Sequence, residues 1–359
     1  MTDRPQVEVS WFSALCDDDY QFLGVEDASL KASWPHCRDI ALAAENNDFD
    51  NILLPSGYTL GMDSIGFAGG IAPLLEKMRL LVAVRCGEMW VPQLARQLAT
   101  LDQMLNGRLT INIISSDMPG QTMEGGPRYQ RTRETMQALR ALLNGETLNM
   151  DGEHIKLELE PPRMATRSGK CPPFYFGGLS PPARDVAAAE ADVFLMWPET
   201  MAEVKAILDD MRQRADSYNR TLKFGYRAHV IVRETEAEAR AAAELLVSKL
   251  DDATGADIRN RSLDSASVGV RRQAEMRDAA NAAGDGDYVE DNLWTGVGRA
   301  RSGCGAAIVG DPDQVLAKLN AYRDLGIEAF ILSGYPHKDE CDLFGKYVLP
   351  RLNHGPLVV

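Results

Sequence analysis

The stretch FGYRAHVIVRET, residues 224–235, places two ionisable side chains on a segment that otherwise has the composition of a buried β-strand. Side chains alternate along a strand, so Arg227 and His229 share one face with Gly225 and Ile231. Burying an unpaired polar group costs roughly 2–7 kcal/mol, and an unpaired charge costs more. The pair therefore indicates either a buried structural network or a site that binds an anion and moves protons.

Three later residues have the chemistry to complete such a site. Arg301 lies in VGRARSGCG, and Tyr335 and His337 lie in SGYPH. A guanidinium group binds anions, whereas a phenol and an imidazole can hold and transfer protons. If all three meet the strand pair in one cavity, the site interpretation is favoured over the structural network.

The segment FYFGGLSPP, residues 174–182, is the best candidate for an anion-binding loop. Gly177 and Gly178 allow the backbone to approach a ligand, and the helix that follows is expected to point free N–H groups outward. A phosphate would be held there without a charged side chain. The alternative is an ordinary strand-to-helix turn capped by Ser180.

Other kinds of site have no support in the sequence. We find no H-x-x-x-H pair or carboxylate cluster that would predict a metal site, and no G-x-S-x-G nucleophile motif. The six cysteines are scattered without a C-x-x-C motif, as is typical of reduced cytosolic thiols. We expect no bound metal.

Net charge limits the class of partner. The chain of 359 residues carries a formal charge of −14, which repels nucleic acid and anionic lipid. An anionic ligand must therefore be met by a local basic pocket. The N-terminus lacks a signal-peptide pattern and no apolar run is long enough to span a bilayer, so we expect a cytoplasmic protein.

Short apolar runs alternate with longer amphipathic ones over the whole chain. We count eight strand–helix units, which predicts one (β/α)₈ TIM-barrel domain over residues 1–359. An open doubly wound sheet is the alternative, but no G-x-G-x-x-G follows a strand. Residues 145–158 are predicted as a small hairpin insertion, and the polar, arginine-containing segment 255–298 as a mobile lid or a solvated loop with a helical piece.

Active sites of such barrels lie at the carboxyl ends of the strands. Polar or aromatic residues stand at several of these predicted ends: Ser56, Arg85, Asn112, Ser115–Asp117, Gly177–Ser180, Trp197 and Tyr335.

Several blocks resemble the two-component alkanesulfonate monooxygenases of the bacterial luciferase-like superfamily. They are ARQLATLDQMLNGRLTINI, FYFGGLS, FGYRAHVIVRET, NLWTGVG and AFILSGYPH, within a match from about residue 7 to 353. The resemblance implies a TIM barrel that uses FMN reduced by a separate NAD(P)H-dependent reductase. It also implies O₂ as co-substrate, a flavin peroxide as oxidant, release of sulfite and an aldehyde, and a homodimer or homotetramer.

The resemblance also implies roles for individual residues. The FMN phosphate would be bound at the glycine loop, and the isoalloxazine ring would lie near Asn112. Oxygen and substrate would meet in a pocket whose catalytic residues are Arg227, His229, Arg301 and Tyr335. The implied cofactor-binding set is Ser56, Asn112, Tyr129, Gly177, Gly178, Leu179 and Ser180, and the implied substrate-binding set is Cys16, Trp197 and His337.

Two departures from the family pattern fall in the substrate region. Cys16 stands near the place of a family histidine and is followed by three aspartates, Asp17–Asp19, while Leu60 or Gly61 replaces a family cysteine. Negative charge near the mouth is unexpected for an anionic sulfonate. We therefore weigh a sulfonate or sulfone equally against a non-sulfonate substrate, such as riboflavin in riboflavin lyase. A deazaflavin-dependent oxidoreductase and a flavin-binding protein without turnover are further alternatives.

Overall fold

The computed structural model describes residues 4–58, 61–260 and 267–359. Leu60 and the part 261–266 of the predicted lid segment lie outside these residues. In chain order the strands are β1 (Glu8–Phe12), β2 (Asn51–Leu54), β3 (Arg79–Arg85), β4 (Leu109–Ile114), β5 (Leu148–Asp151), β6 (Lys156–Leu159), β7 (Phe174–Phe176), β8 (Val193–Met196), β9 (Lys223–Val232), β10 (Tyr288–Glu290), β11 (Leu293–Trp294), β12 (Ala307–Gly310) and β13 (Ala329–Ser333).

Helices follow the strands in alternation. They are α1 (Trp34–Asn46), α2 (Ser64–Ile71), α3 (Val91–Met104), α4 (Gly125–Leu143), α5 (Pro181–Glu190), α6 (Met201–Ser217), α7 (Glu236–Val247), α8 (Asp252–Asn260), α9 (Val268–Ala283), α10 (Pro312–Leu325) and α11 (His337–Tyr347). Short 3₁₀ turns cover Ala72–Leu74, Gly296–Arg299 and Leu349–Arg351.

Eight parallel strands close into a barrel, which confirms the predicted TIM-barrel fold. Their order around the barrel is β9, β13, β1, β2, β3, β4, β7 and β8, and β8 pairs again with β9 to complete the circuit. The outward side chains of the strands pack against the helices in one large apolar cluster. The inward side chains, among them Phe12, Leu53, Leu81 and Ile331, fill the barrel itself.

Strand β9 shares one edge between two partners. Its first residues pair with β8 and its last residues, from His229 onward, pair with β12, while β13 occupies the opposite edge. The carbonyl groups of Arg227 and Ala228 lie between these two ladders. The Arg227 guanidinium donates to the Ala228 carbonyl at 2.7 Å, and the Cys304 thiol lies 3.6 Å from the Arg227 carbonyl oxygen. Strand β12 was not predicted from the sequence, because four apolar residues are too few to show a periodicity.

The predicted hairpin insertion is present as the antiparallel pair β5–β6. Its turn is fastened to α4 by one carboxylate, because Glu134 accepts the backbone N–H groups of Glu153, His154 and Ile155 at 2.8–2.9 Å. These bonds lower the pKa of Glu134 even though its burial alone would raise it.

The described part of the predicted lid segment, residues 255–260 and 267–298, contains the end of α8 and all of α9. Helix α9 is attached to the barrel rim by Arg272, which donates to Glu199 at 2.9 Å and to Glu203 at 2.6 Å. The buried Gln273 bonds the Pro198 carbonyl at 2.7 Å and receives the N–H of Gly305 at 3.0 Å. The described part of the segment therefore lies on the ends of the barrel strands, and its role as a lid stays a prediction.

The end of the barrel interior away from the strands' carboxyl ends holds a buried polar cluster around Glu8. Tyr175 donates to this carboxylate at 2.7 Å, the Leu357 N–H donates at 3.1 Å, and Arg79 lies 3.7 Å away. Burial raises the pKa of Glu8, although these donors oppose the shift. The cluster joins β1 to β7 across the interior and ties the C-terminal segment to both.

We predict that Tyr175→Phe lowers the free energy of unfolding by about 1–3 kcal/mol, because the buried carboxylate loses its closest donor while the ring volume is kept. Urea unfolding followed by circular dichroism measures the change. The exposed Tyr58→Phe serves as a control that should leave the midpoint unchanged. Equal midpoints for wild type and Tyr175→Phe would show that the bond contributes nothing to stability.

Candidate active site

A cavity of about 380 Å³ opens at the carboxyl ends of the barrel strands. Its wall is formed by the strand ends, by the loop after β1 and by residues 300–304. Of the residues predicted for the site, those on this wall are Cys16, Ser56, Asn112, Trp197, Arg227 and Arg301. His229, Tyr335, His337, Tyr129 and residues 177–180 are not on it.

Arg227 is a buried cation on the cavity wall, with 4% of its surface exposed. Its guanidinium stacks over the Phe12 ring at 4.2 Å and donates to Ser333 Oγ at 2.8 Å. No carboxylate among the described residues lies within ion-pair distance of it. Burial lowers the pKa of Arg227, but an arginine stays protonated at neutral pH. The cavity therefore presents a desolvated positive charge that an anionic ligand can complement.

His229 lies behind Arg227 on the same strand and is connected to it through Ser333. The Ser333 hydroxyl accepts from Arg227 and lies 2.8 Å from His229 Nδ1. Because the serine proton is then free to donate to Nδ1, we assign the ring proton to Nε2. That nitrogen is buried and has no partner among the described residues. Burial and the nearby Arg227 lower the pKa of His229 well below 6.5, so the ring is neutral at physiological pH.

Tyr335 completes the layer behind the wall. Its ring stacks on His229 with a centroid separation of 5.0 Å and meets His337 edge-on at 5.3 Å. Its hydroxyl receives a hydrogen bond from Arg301 at 2.8 Å. Burial raises the pKa of Tyr335, so the phenol keeps its proton. His337 donates from Nδ1 to the Phe12 carbonyl at 2.8 Å, and its Nε2 has no partner in the described structure.

The three aspartates after Cys16 do not form an open negative patch at the mouth. Asp17 accepts the Ala32 N–H at 2.7 Å, and Asp19 bonds His36 and the His337 N–H, both at 2.9 Å. Asp18 pairs with Arg301. Burial alone would raise the pKa of Asp18, but the Arg301 charge brings it below its usual range. The three carboxylates are thus engaged in hydrogen bonds and an ion pair within the protein.

Sequence reasoning assigned no role in the site to three residues. Arg85, at the end of β3, lies on the cavity wall, donates to the Ser56 carbonyl at 3.2 Å and pairs with Glu88 at 2.9 Å. Its position as a cation at the carboxyl end of a barrel strand was a usable signal. Ser333, which links Arg227 to His229, and Asp18, which pairs with Arg301, had no such signal because only the fold brings them into contact.

The glycine loop before α5 permits a close backbone approach. A Cβ atom on Gly177 would lie 1.8 Å from the Leu195 carbonyl oxygen, and one on Gly178 would lie 2.6 Å from Ala183 Cβ. The same Gly178 position is 3.6 Å from the Tyr129 hydroxyl, so the predicted tyrosine does adjoin the loop. Neither glycine tolerates a side chain without movement of its neighbours.

The expectation that α5 itself supplies free N–H groups is wrong. Pro181 and Pro182 have no N–H, and the N–H groups of Ala183 and Arg184 are taken by Ser180 Oγ at 3.4 Å and the Ser180 carbonyl at 3.0 Å. The donors that remain are the loop N–H groups of Leu179 and Ser180, for which we find no acceptor among the described residues. Any anion here is bound by the loop.

Trp197 connects the cavity wall to the lid segment. A Cβ on Gly269 of α9 would lie 2.9 Å from the indole, and one on Gly303 would lie 3.1 Å from it. The ring is therefore held between the lid helix on one side and the Arg301 loop on the other. Both glycines are needed because the indole occupies the space that a side chain would take.

The described ranges 4–58, 61–260 and 267–359 contain neither a metal-ion cluster nor a membrane-spanning helix. No group of three or more histidine, cysteine or acidic residues is arranged there to hold a metal ion. No helix in these ranges has the length and apolar character required to cross a bilayer.

Comparison with known proteins agrees with this geometry. The luciferase-like monooxygenase family matches residues 20–329. The chain belongs to this family. A sulfoquinovose monooxygenase of Novosphingobium aromaticivorans is 62% identical over 357 residues, covering 98% of both chains. Another, from Agrobacterium fabrum, is 51% identical over 353 residues, covering 98% of this chain and 91% of the relative.

Solved structures show the same fold at much lower identity. A riboflavin lyase with modified FMN and riboflavin is 15% identical with a TM-score of 0.78, covering 97% of this chain and 91% of the other. EDTA monooxygenase from Chelativorans sp. BNC1 is also 15% identical with a TM-score of 0.75, covering 97% and 93%. Membership of the luciferase-like family implies a flavin cofactor.

The residues present fit a flavin nucleotide. The loop 177–180 offers backbone donors without side-chain obstruction for a phosphate, as the FMN of this family would require. The cavity then begins at Asn112 on β4, the strand that pairs with β7 directly before the loop. The Arg227 guanidinium, which has no carboxylate partner among the described residues, lies on its wall, and His229 lies behind Arg227 with Ser333 between them.

We predict that His229 makes folding stability depend on pH. A histidine whose folded pKa lies below the unfolded value of 6.5 contributes stability that is present above pH 6.5 and is lost as pH falls. His229→Gln should therefore show a shallower loss of urea midpoint between about pH 6.5 and 5 than wild type does. Parallel curves for the two proteins would mean that the pKa of His229 is the same in the folded and unfolded states.

Proposed function

We propose that this protein is a flavin-dependent monooxygenase that cleaves the carbon–sulfur bond of sulfoquinovose, a glucose derivative in which a sulfonate replaces the C6 hydroxyl. The observation that carries the proposal is 62% identity to a sulfoquinovose monooxygenase across 98% of both chains. At this level of identity and coverage, a shared substrate class is the expectation. The riboflavin lyase neighbour, at 15% identity, supports the shared fold alone.

The charge arrangement of the cavity agrees with an anionic substrate. The surface as a whole carries −14 and repels a sulfonate, so binding needs a local cation. Arg227 supplies a desolvated guanidinium, and the planar fork of its N–H groups suits the oxygens of a sulfonate. Arg85 and Arg301 also lie on the wall, but each is paired with a carboxylate, Glu88 and Asp18 respectively.

Bound reduced FMN, supplied by a separate NAD(P)H-dependent reductase, would provide the two electrons with which O₂ oxidises the sulfonate-bearing carbon, giving sulfite, an aldehyde and water. Leu179 and Ser180 would hold its phosphate through their N–H groups, with Gly177 and Gly178 allowing the approach and Tyr129 alongside. Ser56 and Asn112 would contact its ring system from the cavity wall.

The protein groups around the reacting atoms have distinct roles in this proposal. His229 donates from Nε2 to a developing negative charge, since its neutral ring keeps that proton. Tyr335 holds a proton on an oxygen already oriented by Arg301. Cys16, Trp197 and His337 would line or support the substrate side, and the lid segment 255–298 would exclude water through the contact of α9 with Trp197. A cytoplasmic homodimer or homotetramer remains our expectation.

The direct test supplies the enzyme with FMN, a flavin reductase, NADH, O₂ and sulfoquinovose. We expect stoichiometric sulfite release that requires every component. A parallel reaction with riboflavin, monitored for lumichrome, tests the lyase alternative, and an anaerobic reaction with a reduced deazaflavin tests hydride transfer. If the enzyme turns over in either parallel reaction but releases no sulfite from sulfoquinovose, the proposal is overturned. Tight flavin binding without turnover in any reaction would indicate a storage role.

We predict that Arg227→Met lowers kcat/KM for sulfoquinovose by at least about 100-fold, because a desolvated charge–sulfonate contact is worth roughly 3 kcal/mol or more. Arg227→Lys should recover part of this loss, since it restores charge without the planar fork. Arg271→Gln is the matched control, because Arg271 is exposed on the lid and its ion pair is with Glu275. Wild-type kinetics in Arg227→Met would place the sulfonate elsewhere.

A further inference from the structure

Asp18 has one carboxylate oxygen that the structure leaves without a partner. The side chain is buried, with 9% of the residue exposed, and it lies on the cavity wall. Its Oδ2 accepts from Arg301, whereas Oδ1 is buried and receives no hydrogen bond from the described residues. The neighbouring Asp19 differs in this respect, because its Oδ1 accepts the His337 N–H and its Oδ2 bonds His36.

The chemistry of the missing partner follows from the charge state of Asp18. Arg301 holds the pKa of this carboxyl below its usual range, so the group is ionised and can only accept hydrogen bonds. A sulfonate has no proton to donate and would be repelled. A neutral hydroxyl group is the donor that a sugar supplies and an unsubstituted alkyl chain lacks.

We propose that Asp18 binds a hydroxyl group of the substrate through Oδ1 and thereby selects a polyhydroxylated sulfonate over an alkanesulfonate. The proposal rests on the proposed function and refines its substrate class. Arg301, neutralised by Asp18, is then part of the hydroxyl-binding side of the cavity. Arg227, which has no carboxylate partner among the described residues, is left for the anionic group.

This arrangement resolves the apparent conflict between an acidic loop and an anionic substrate. A carboxylate that accepts a charge-assisted hydrogen bond from a hydroxyl is stabilising, and such bonds are about twice as strong as neutral ones. The same carboxylate beside a methylene chain would remain desolvated and unsatisfied, which disfavours that ligand. Asp18 therefore favours a ligand with a hydroxyl group and disfavours one with a methylene chain at this position.

The test compares sulfoquinovose with 1-hexanesulfonate, which has the same number of carbons and no hydroxyl group. Dissociation constants are measured by titration calorimetry on the FMN-loaded enzyme, and kcat and KM by sulfite release with the reductase present. In Asp18→Asn, the amide oxygen can still accept from Arg301 while an NH₂ group replaces Oδ1. We expect sulfoquinovose affinity to fall about 10-fold or more and hexanesulfonate affinity to stay equal or rise.

Two further variants keep the result interpretable. Asp27→Asn removes a negative charge that also borders the cavity, but Asp27 bonds Ser29 and should leave the selectivity unchanged. Asp18→Ala provides a second replacement if Asp18→Asn does not fold, and it should lower the sulfoquinovose preference at least as much.

Each other outcome contradicts a specific part of the proposal. Equal losses for both ligands would make Asp18 a positioning residue for Arg301, and a weaker FMN affinity in Asp18→Asn would assign Oδ1 to the flavin. Wild-type selectivity in an active Asp18→Asn enzyme would overturn the hydroxyl contact alone. Absence of sulfite release from sulfoquinovose by the wild type would instead overturn the proposed function on which this inference rests.

Discussion

The site depends on one buried guanidinium that the protein does not neutralise. Arg227 is kept in place by a carbonyl of its own strand, by Ser333 and by the Phe12 ring, none of which carries negative charge. A charge in this position is costly unless a ligand completes it. The closed barrel makes that cost tolerable, because its strands fix the contacts before any ligand arrives and Arg227 need not reorganise.

Of the three arginines on the cavity wall, Arg227 and Arg301 have opposite electrostatic surroundings. Arg301 has a carboxylate and a phenol as partners, so it contributes little net charge, whereas Arg227 contributes nearly all of its own. If both arginines were paired with carboxylates, the cavity would not attract an anion to a protein with a net charge of −14. If neither were paired, Asp18 and Tyr335 would lack the partner that orients them. The separation of roles assigns anion binding and polar recognition to different sides of one pocket.

The fold could be predicted almost completely from the sequence, since eight repeats of strand and helix admit few closed topologies. Arg227 and His229 were also predictable, because two ionisable residues at alternate positions of an apolar strand require an explanation. Ser333 and Asp18 were not, because their importance comes from contacts over 104 and 283 residues of separation. The prediction of free N–H groups at the start of α5 was wrong for a local reason that was visible in the sequence, because Pro181 and Pro182 have no N–H.

Strand β12 has a consequence for how such a protein can change. It lies on the edge of β9 but outside the closed circuit, which β8, β9 and β13 complete without it. The chain between β9 and β12, including α7, α8 and α9, is therefore an excursion from a barrel that closes independently of it. Insertions or replacements in this excursion can alter the cover of the cavity while the closure of the barrel is retained. A family with this architecture can acquire new substrates by exchanging one peripheral module.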